Sequence, residues 1–103
     1  MPVREMAPER SAEHRTLVDE LSLEWKTSQS QSGEPLILVE RDQKGRPARV
    51  HVVWSKWQSI DRGERSEIIV EAAENALSQD DAMNISIAMG MTPDEAKAWG
   101  VKY

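Results

Sequence analysis

The 103-residue chain has no cysteine and no phenylalanine, a single tyrosine, and only five glycines and five prolines. The absence of cysteine excludes disulfides, thiolate metal ligands and cysteine nucleophiles, and it fits a reducing cytoplasm. No apolar run approaches the roughly 18 residues that a membrane span needs. The stretch 1–15 is charged and lacks an apolar run, so we expect no secretory signal there. We therefore predict a cytoplasmic protein that does not contact membranes.

What the chain does contain is typical of an ordinary globular protein. Hydrophobic residues make up 39% of the sequence and charged residues 30%. A chain of this length forms one domain with one modest core. We predict a single domain over residues 1–103, with residues 1–7 as a loose tail.

Hydrophobic periodicity predicts the elements of the first half of the chain. Apolar residues at helical spacing predict an amphipathic helix over about residues 8–28. The apolar run 36–39 predicts a strand buried on both faces. The β-branched stretch 48–55 predicts a second strand, and the polar segment 41–46 with Gly45 joins the two as a β-hairpin.

In the second half, Asp61 and Glu64 have the spacing of a capping box and predict the start of a helix. A period of two from Met83 to Met89 predicts a third strand with one buried face. Because a helix fills the connection, we expect the second and third strands to be parallel. A last capping box, running from Thr92 to Glu95, predicts a short final helix.

These elements give an α+β fold with the order α-β-β-α-β-α. A three-stranded mixed sheet with helices packed on one face is the simplest architecture that buries every apolar stripe.

The charges are distributed unevenly along the chain. The segment 41–65 has seven basic and three acidic residues, a net charge of +4, although the whole chain has a net charge of −5. Such a segment can attract an anion or a nucleic acid. Its candidate contact residues are Arg41, Lys44, Arg46, Arg49, Lys56, Arg62 and Arg65. Trp57 is a candidate interaction aromatic or, alternatively, an anchor for its loop, whereas Trp54 alternates with core positions.

No catalytic, cofactor-binding or metal-binding constellation is present in the sequence. His14 and His51 are the only histidines, and neither has an acidic or histidine neighbour at ligand spacing. Glu67, Glu71 and Glu74 share one helical face that we expect to be solvated. We predict a non-enzymatic protein without a cofactor.

The second half of the chain resembles the BolA-like family, which has a KH-related α+β fold. The resemblance rests on Ser55 after a strand, Trp57 two residues later, Arg65 early in the next helix, and the turn from Thr92 to Glu95. In that family, the histidine that opens the last strand, usually with a cysteine or histidine of the hairpin loop, holds an iron–sulfur cluster shared with a glutaredoxin.

The family's cluster ligands are missing from this chain. Ser66 stands where the family has the histidine after the arginine, and Met83 stands where the family has the histidine that opens its last strand. The loop 41–46 contains neither cysteine nor histidine. The Gly-x-x-Gly loop of KH domains is also absent. The resemblance therefore implies the fold and not the cluster.

Two functional hypotheses lead, and a small-ligand or metal role is a third possibility. The first is a protein-interaction or regulatory module of BolA-like shape, with a partner protein or a second copy pairing at the edge of the third strand. The alternative is a nucleic-acid-binding module that uses the basic segment 41–65, which the acidic remainder of the chain disfavours.

Overall fold

The computed structural model describes residues 12–27 and 33–100. Its elements are, in chain order, α1 (Ala12–Thr27), β1 (Leu36–Arg41), β2 (Pro47–Val53), a 3₁₀ turn (Ser55–Ser59), α2 (Arg62–Ala76), α3 (Gln79–Asn84), β3 (Ile87–Met91) and α4 (Pro93–Ala98). The predicted order is confirmed, with α3 as an additional short helix. The predicted tail at residues 1–7 lies outside the described residues. Within the described part, no helix has the length and apolarity required to cross a membrane.

The predicted hairpin is formed by β1 and β2, and Asp42 fixes its turn. The Asp42 carboxylate accepts from the backbone N–H groups of Lys44 (2.9 Å) and Arg46 (3.0 Å). Gly45 has a φ of +80°, which glycine adopts without steric cost. The bond from the Arg46 backbone, followed by one from the Asn84 amide, holds the pKa of the Asp42 carboxyl below its ordinary value.

The sheet is mixed, as predicted, and β2 is its central strand. β1 pairs with β2 antiparallel and β3 pairs with β2 parallel. In this register Leu38 lies opposite His51, and His51 lies opposite Met89. The helical connection between β2 and β3 therefore makes the two strands parallel, as expected.

The two long helices, α1 and α2, cover one face of the sheet. Val50 and Val52 of β2 are fully buried beneath them. Trp54 is buried in the same core, as its alternation with the valines predicts, and its ring meets Trp57 edge-on at a centroid distance of 5.1 Å. The core is completed by Leu17, Val18, Leu21, Ile60, Ile68, Ile69 and Ala72.

The third strand begins later than predicted and buries its other side. Met83 belongs to α3, which the Ser78 side chain caps, and Met83 is 76% exposed. Ala88 packs on the core under the helices, whereas Ile87 and Met89 are 39% and 38% exposed. The prediction of a buried Met83-to-Met89 face is wrong because α1 and α2 lie on the opposite side.

The prediction that β1 is buried on both faces is also wrong. Residues 36–39 are all half-buried, because long helices cover one side of the strand only.

The final helix, α4, begins with the predicted capping box. The Thr92 side chain accepts from Glu95 N–H, and the Glu95 carboxylate accepts from Thr92 N–H. Ala96 packs against Val53 and Met91, whose side chains point away from α1 and α2. Since only Thr92 separates β3 from α4, the helix closes one end of this second face instead of joining the long helices.

Candidate functional site

The basic residues of segment 41–65 do not form one surface. Arg41, Lys44 and Arg46 are exposed at the hairpin turn, whereas Lys56 and Arg62 lie beyond the other end of β2. A strand of seven residues separates the two groups, a distance of roughly 20 Å. The predicted continuous basic surface is therefore split.

At that far end, the two exposed cations already have partners. The Lys56 Nζ lies 2.7 Å from a Glu20 carboxylate oxygen and 5.6 Å from the Trp54 ring centroid. The Arg62 guanidinium lies 4.8 Å from the ring centroid of Trp99. Lys56 is thus already paired with a carboxylate, whereas Arg62 is stacked on a ring.

Arg65 is buried and holds together four parts of the fold. Its Nε donates to the Ile60 carbonyl and its Nη2 to the Trp57 carbonyl, both at 2.7 Å. Its Nη1 donates to a Glu95 carboxylate oxygen at 2.7 Å and to the Gly90 carbonyl at 3.3 Å. We call these contacts the Arg65 network. Because Arg65 is 5% exposed and four of its five N–H donors are bonded inside the fold, it is a structural residue, and its assignment to an anion-binding surface is wrong.

The acidic member of the network, Glu95, is held in its charged form. The backbone N–H of Thr92 lowers the pKa of the Glu95 carboxyl most, and the hydrogen bond from Arg65 lowers it further. The capping box of α4 and the Arg65 network therefore share one carboxylate.

Trp57 is an anchor and is not available to a ligand. Its side chain is fully buried, and its Nε1 donates to the Val52 carbonyl at 3.0 Å. The ring lies so close to β3 that a Cβ on Gly90 would be 2.9 Å from two of its atoms. Of the two predicted roles, the loop anchor is correct and the interaction aromatic is excluded.

The outer edge of β3 is covered. The Met91 carbonyl accepts from the backbone N–H of Trp54, the residue that follows β2. The backbone groups of Met91 are therefore directed towards β2, and those of Ala88 and Gly90 are directed outward. The Ser66 hydroxyl donates to the Ala88 carbonyl at 2.7 Å, and the Arg65 network occupies the Gly90 carbonyl. The predicted pairing site on β3 is thus closed by polar side chains of α2.

The outer edge of β1 is different. The same alternation directs Leu36, Leu38 and Glu40 towards β2 and leaves Ile37 and Val39 directed outward. Within the described ranges, no residue donates to or accepts from the outward backbone groups of Ile37 and Val39. This edge is a template for another strand.

A groove runs along this edge between β1 and α1. It has a volume of about 370 Å³. Its lining residues are Glu24, Trp25, Gly33, Pro35, Leu36, Ile37 and Val39. An added strand would find hydrogen-bonding groups and an apolar wall at the same place.

The second face of the sheet, which we call the open face, adjoins the same edge. Among the described helices, only α4 packs on it, at one end. At its hairpin end, Arg49 lies opposite Glu40. The remaining partly exposed members are Leu36, Leu38, His51, Ile87 and Met89. His51 thus lies at the centre of an apolar surface and not in a ligand set.

His14 is buried between two carboxylates of α2. Its Nδ1 lies 3.0 Å from Glu64 and its Nε2 lies 2.8 Å from Glu71. Glu71 was expected to face water, and Glu64 was expected to complete a capping box, so both expectations are corrected. Asp61 alone caps α2. In the described part of the chain, no group of three histidine or carboxylate side chains is arranged to hold a metal ion.

Sequence reasoning missed Ile37, Val39 and Trp25 as candidate site residues. The alternation along β1 assigns 37 and 39 to one side, but it does not reveal which strand lies at an uncovered edge. Which edge is left uncovered depends on the order of the strands in the sheet and on which strand the side chains of α2 contact.

Comparisons with models of protein families, with curated protein sequences and with solved structures find no match for this chain.

Proposed function

We propose that the chain is a non-enzymatic protein-interaction module of BolA-like shape, which binds a partner by adding a strand to the outer edge of β1. The observation that carries the proposal is the difference between the two sheet edges. Side chains of α2 occupy the edge of β3, whereas the outward backbone groups of Ile37 and Val39, beside a groove, have no partner among residues 12–27 and 33–100.

The BolA-like shape is supported by the way the motif residues converge. Trp57, Arg65 and Glu95, which are separated in sequence, are joined in the Arg65 network, and Ser55 opens the turn that carries Trp57. The kinship rests on these residues and on the order of elements alone.

The proposal includes no iron–sulfur cluster. Ser66 is engaged with the Ala88 carbonyl, and Met83 lies on α3 instead of opening the last strand. Neither side chain supplies the imidazole that the family uses.

The absence of a catalytic role is part of the proposal. Both ring nitrogens of His14 are occupied by carboxylates, which leaves neither free for proton transfer to a substrate. The lack of cysteine fits our assignment of the module to the cytoplasm.

The experiment compares the wild-type chain with Val39→Pro. Proline removes the outward N–H, which no described residue uses, so the fold should survive with a change of no more than about 1 kcal/mol. Val39→Thr is the matched control because it keeps the N–H. A random peptide library is selected on the wild type, and calorimetry measures binding to all three proteins. Peptides that bind wild type and Val39→Thr but not Val39→Pro support the proposal.

Equal binding to Val39→Pro, in a protein with an unchanged melting curve, would refute strand addition at this edge. A library that yields no binder, together with a monomeric wild type, would refute the interaction module as a whole.

A nucleic-acid function has less support, because only Arg41, Lys44, Arg46 and the nearby Arg49 remain on one part of the surface. Titration of labelled single-stranded DNA at low and high salt tests it. Binding that falls with salt and disappears in Arg46→Ala with Arg49→Ala would replace our proposal with this one.

A further inference from the structure

We infer that the strand added to β1 carries an arginine whose side chain enters the groove and pairs with the Glu24 carboxylate beside the Trp25 ring. This inference rests on the proposed function and gives the partner its chemistry. The partner is an extended segment with mostly apolar side chains and an arginine at a position that faces the groove.

The two faces of β1 determine what an added strand meets. Successive side chains of a strand point to opposite faces of the sheet, so an added strand presents one set to the groove and the other to the open face. On the groove side, Ile37 and Val39 form an apolar wall with Trp25. On the open face, the neighbours are Leu36 and Leu38. Apolar side chains therefore suit most positions of the partner on both faces.

Glu24 makes the groove selective for charge. Among the described residues that line the groove, it is the only charged one, and it is half-buried. Within residues 12–27 and 33–100, no cation lies at ion-pair distance from its carboxylate. Lys26 is two positions away on the same helix, a spacing at which side chains do not face each other. A strand laid over the groove would remove the carboxylate further from water, which is costly unless a cation pairs with it.

Trp25 favours arginine over lysine as that cation. Glu24 and Trp25 are consecutive in the last turns of α1, and both line the groove. A guanidinium can donate two parallel N–H bonds to a carboxylate and can also stack on an aromatic ring. An ammonium group acts as a point charge and lacks the planar surface for stacking. The pairing of a carboxylate with an indole in one groove therefore fits arginine.

Peptide selection on charge variants tests the inference. A random peptide library is selected on the wild type, on Glu24→Lys and on Glu67→Lys. Glu67 is an exposed glutamate of α2, so its variant has the same change in net charge away from the groove. We expect arginine to be enriched on the wild type and on Glu67→Lys, and acidic residues to replace it on Glu24→Lys. Selection of the same arginine peptides by Glu24→Lys would overturn the inference.

Calorimetry on one selected peptide measures the pairing itself. Replacing the peptide arginine with glutamine should weaken binding to the wild type about tenfold, and the lysine version should lie between the two. On Glu24→Gln, the arginine and glutamine versions should bind alike, which is the coupling that a double-mutant cycle detects. An equal loss on both proteins would show that the arginine does not pair with Glu24, and the inference would fail.

The Val39 variants separate this inference from the proposed function. If peptides without a basic residue bind the wild type and Val39→Thr but not Val39→Pro, the inference fails and strand addition at β1 stands. If arginine peptides bind Val39→Pro as well as they bind the wild type, strand addition fails and the inference fails with it. A library that yields no binder overturns the inference too.

Discussion

The two edge strands of this sheet differ in whether side chains of another element bond to their outward backbone groups. The outward carbonyls of β3 accept hydrogen bonds from Ser66 and Arg65 of α2. The outward groups of Ile37 and Val39 in β1 have no such bonds within the described ranges. Exposed strand edges promote unwanted pairing, and covering an edge with a helix is one way in which proteins prevent it. Since the described residues cover the edge of β3 and not the edge of β1, we propose that a partner strand pairs at β1.

The largest effect on the covered edge is expected from Arg65→Met. The change removes the arginine donor from the Glu95 carboxylate, which keeps only the Thr92 N–H, and from three carbonyls, so we expect the free energy of unfolding to fall by about 3–5 kcal/mol. Urea denaturation measures the loss. Arg62→Met is the control on the same helix, and since its guanidinium contacts an exposed ring, it should lose about 1 kcal/mol or less. Similar losses for both variants would show that the network does not hold the edge.

A smaller loss is expected from Gly90→Ala, which pushes β3 away from α2. The added Cβ would lie 2.9 Å from the Trp57 ring, and such overpacking destabilises by about 1–3 kcal/mol. The Trp57→Phe background removes ring atoms at the clash, so the penalty of Gly90→Ala should shrink there. A double-mutant cycle measured by denaturation checks this coupling. Strict additivity would contradict the close contact.

Ser66→Ala should remove a single bond from the same edge. We expect a loss of about 1 kcal/mol, because the Ala88 carbonyl loses its donor. Thermal melting compares it with Ser59→Ala, an exposed serine in the 3₁₀ turn, which should change little. If the two variants melt alike, Ser66 does not protect β3.

The smallest effect is expected from acid. The pKa of the Glu95 carboxyl is lower in the folded state, so its contribution is present above the unfolded pKa of about 4.3 and is lost as pH falls further. Glu95→Gln should reduce the dependence of unfolding free energy on pH in that acidic range, as measured by urea denaturation at a series of pH values. An unchanged slope in Glu95→Gln would assign the acid sensitivity to other carboxylates.

Local signals in the sequence predicted much of this fold. The Thr92 capping box, the Asp61 cap and the Gly45 turn each depend on neighbouring residues, and all three are present. The parallel pairing of β2 and β3 followed from the length and helical pattern of their connection. These features need no knowledge of which surfaces meet.

The start of β3 was missed because two local patterns compete there. The alternation from Met83 onward is typical of a strand, while Ser78 followed by Asp81 is a helix start. The Ser78 cap starts a helix, and Met83 therefore lies in α3 and not in β3. Periodicity also cannot tell which side of a strand the helices cover, so the buried face of β3 was assigned to the wrong side.

The role of Arg65 could not be read from the sequence, since arginine is mostly found on surfaces. Its burial depends on Glu95, thirty positions later in the chain, and on carbonyls of three other segments. Likewise His14 meets Glu64 and Glu71 only because α1 packs beside α2. Such contacts arise from tertiary packing, which spacing along one helix does not reveal.

The span of the Arg65 contacts has a consequence for the kinetics of folding. Its bonds to Trp57 and Ile60 join residues that are close in sequence. Its bonds to Gly90 and Glu95 form only after β3 and α4 have packed beside α2. Contacts between distant segments form late when their loops must close first. Weakening these distant bonds should therefore accelerate unfolding more than it slows refolding. We therefore expect the Arg65 contacts to Gly90 and Glu95 to form after β3 and α4 have docked, and to slow unfolding once formed.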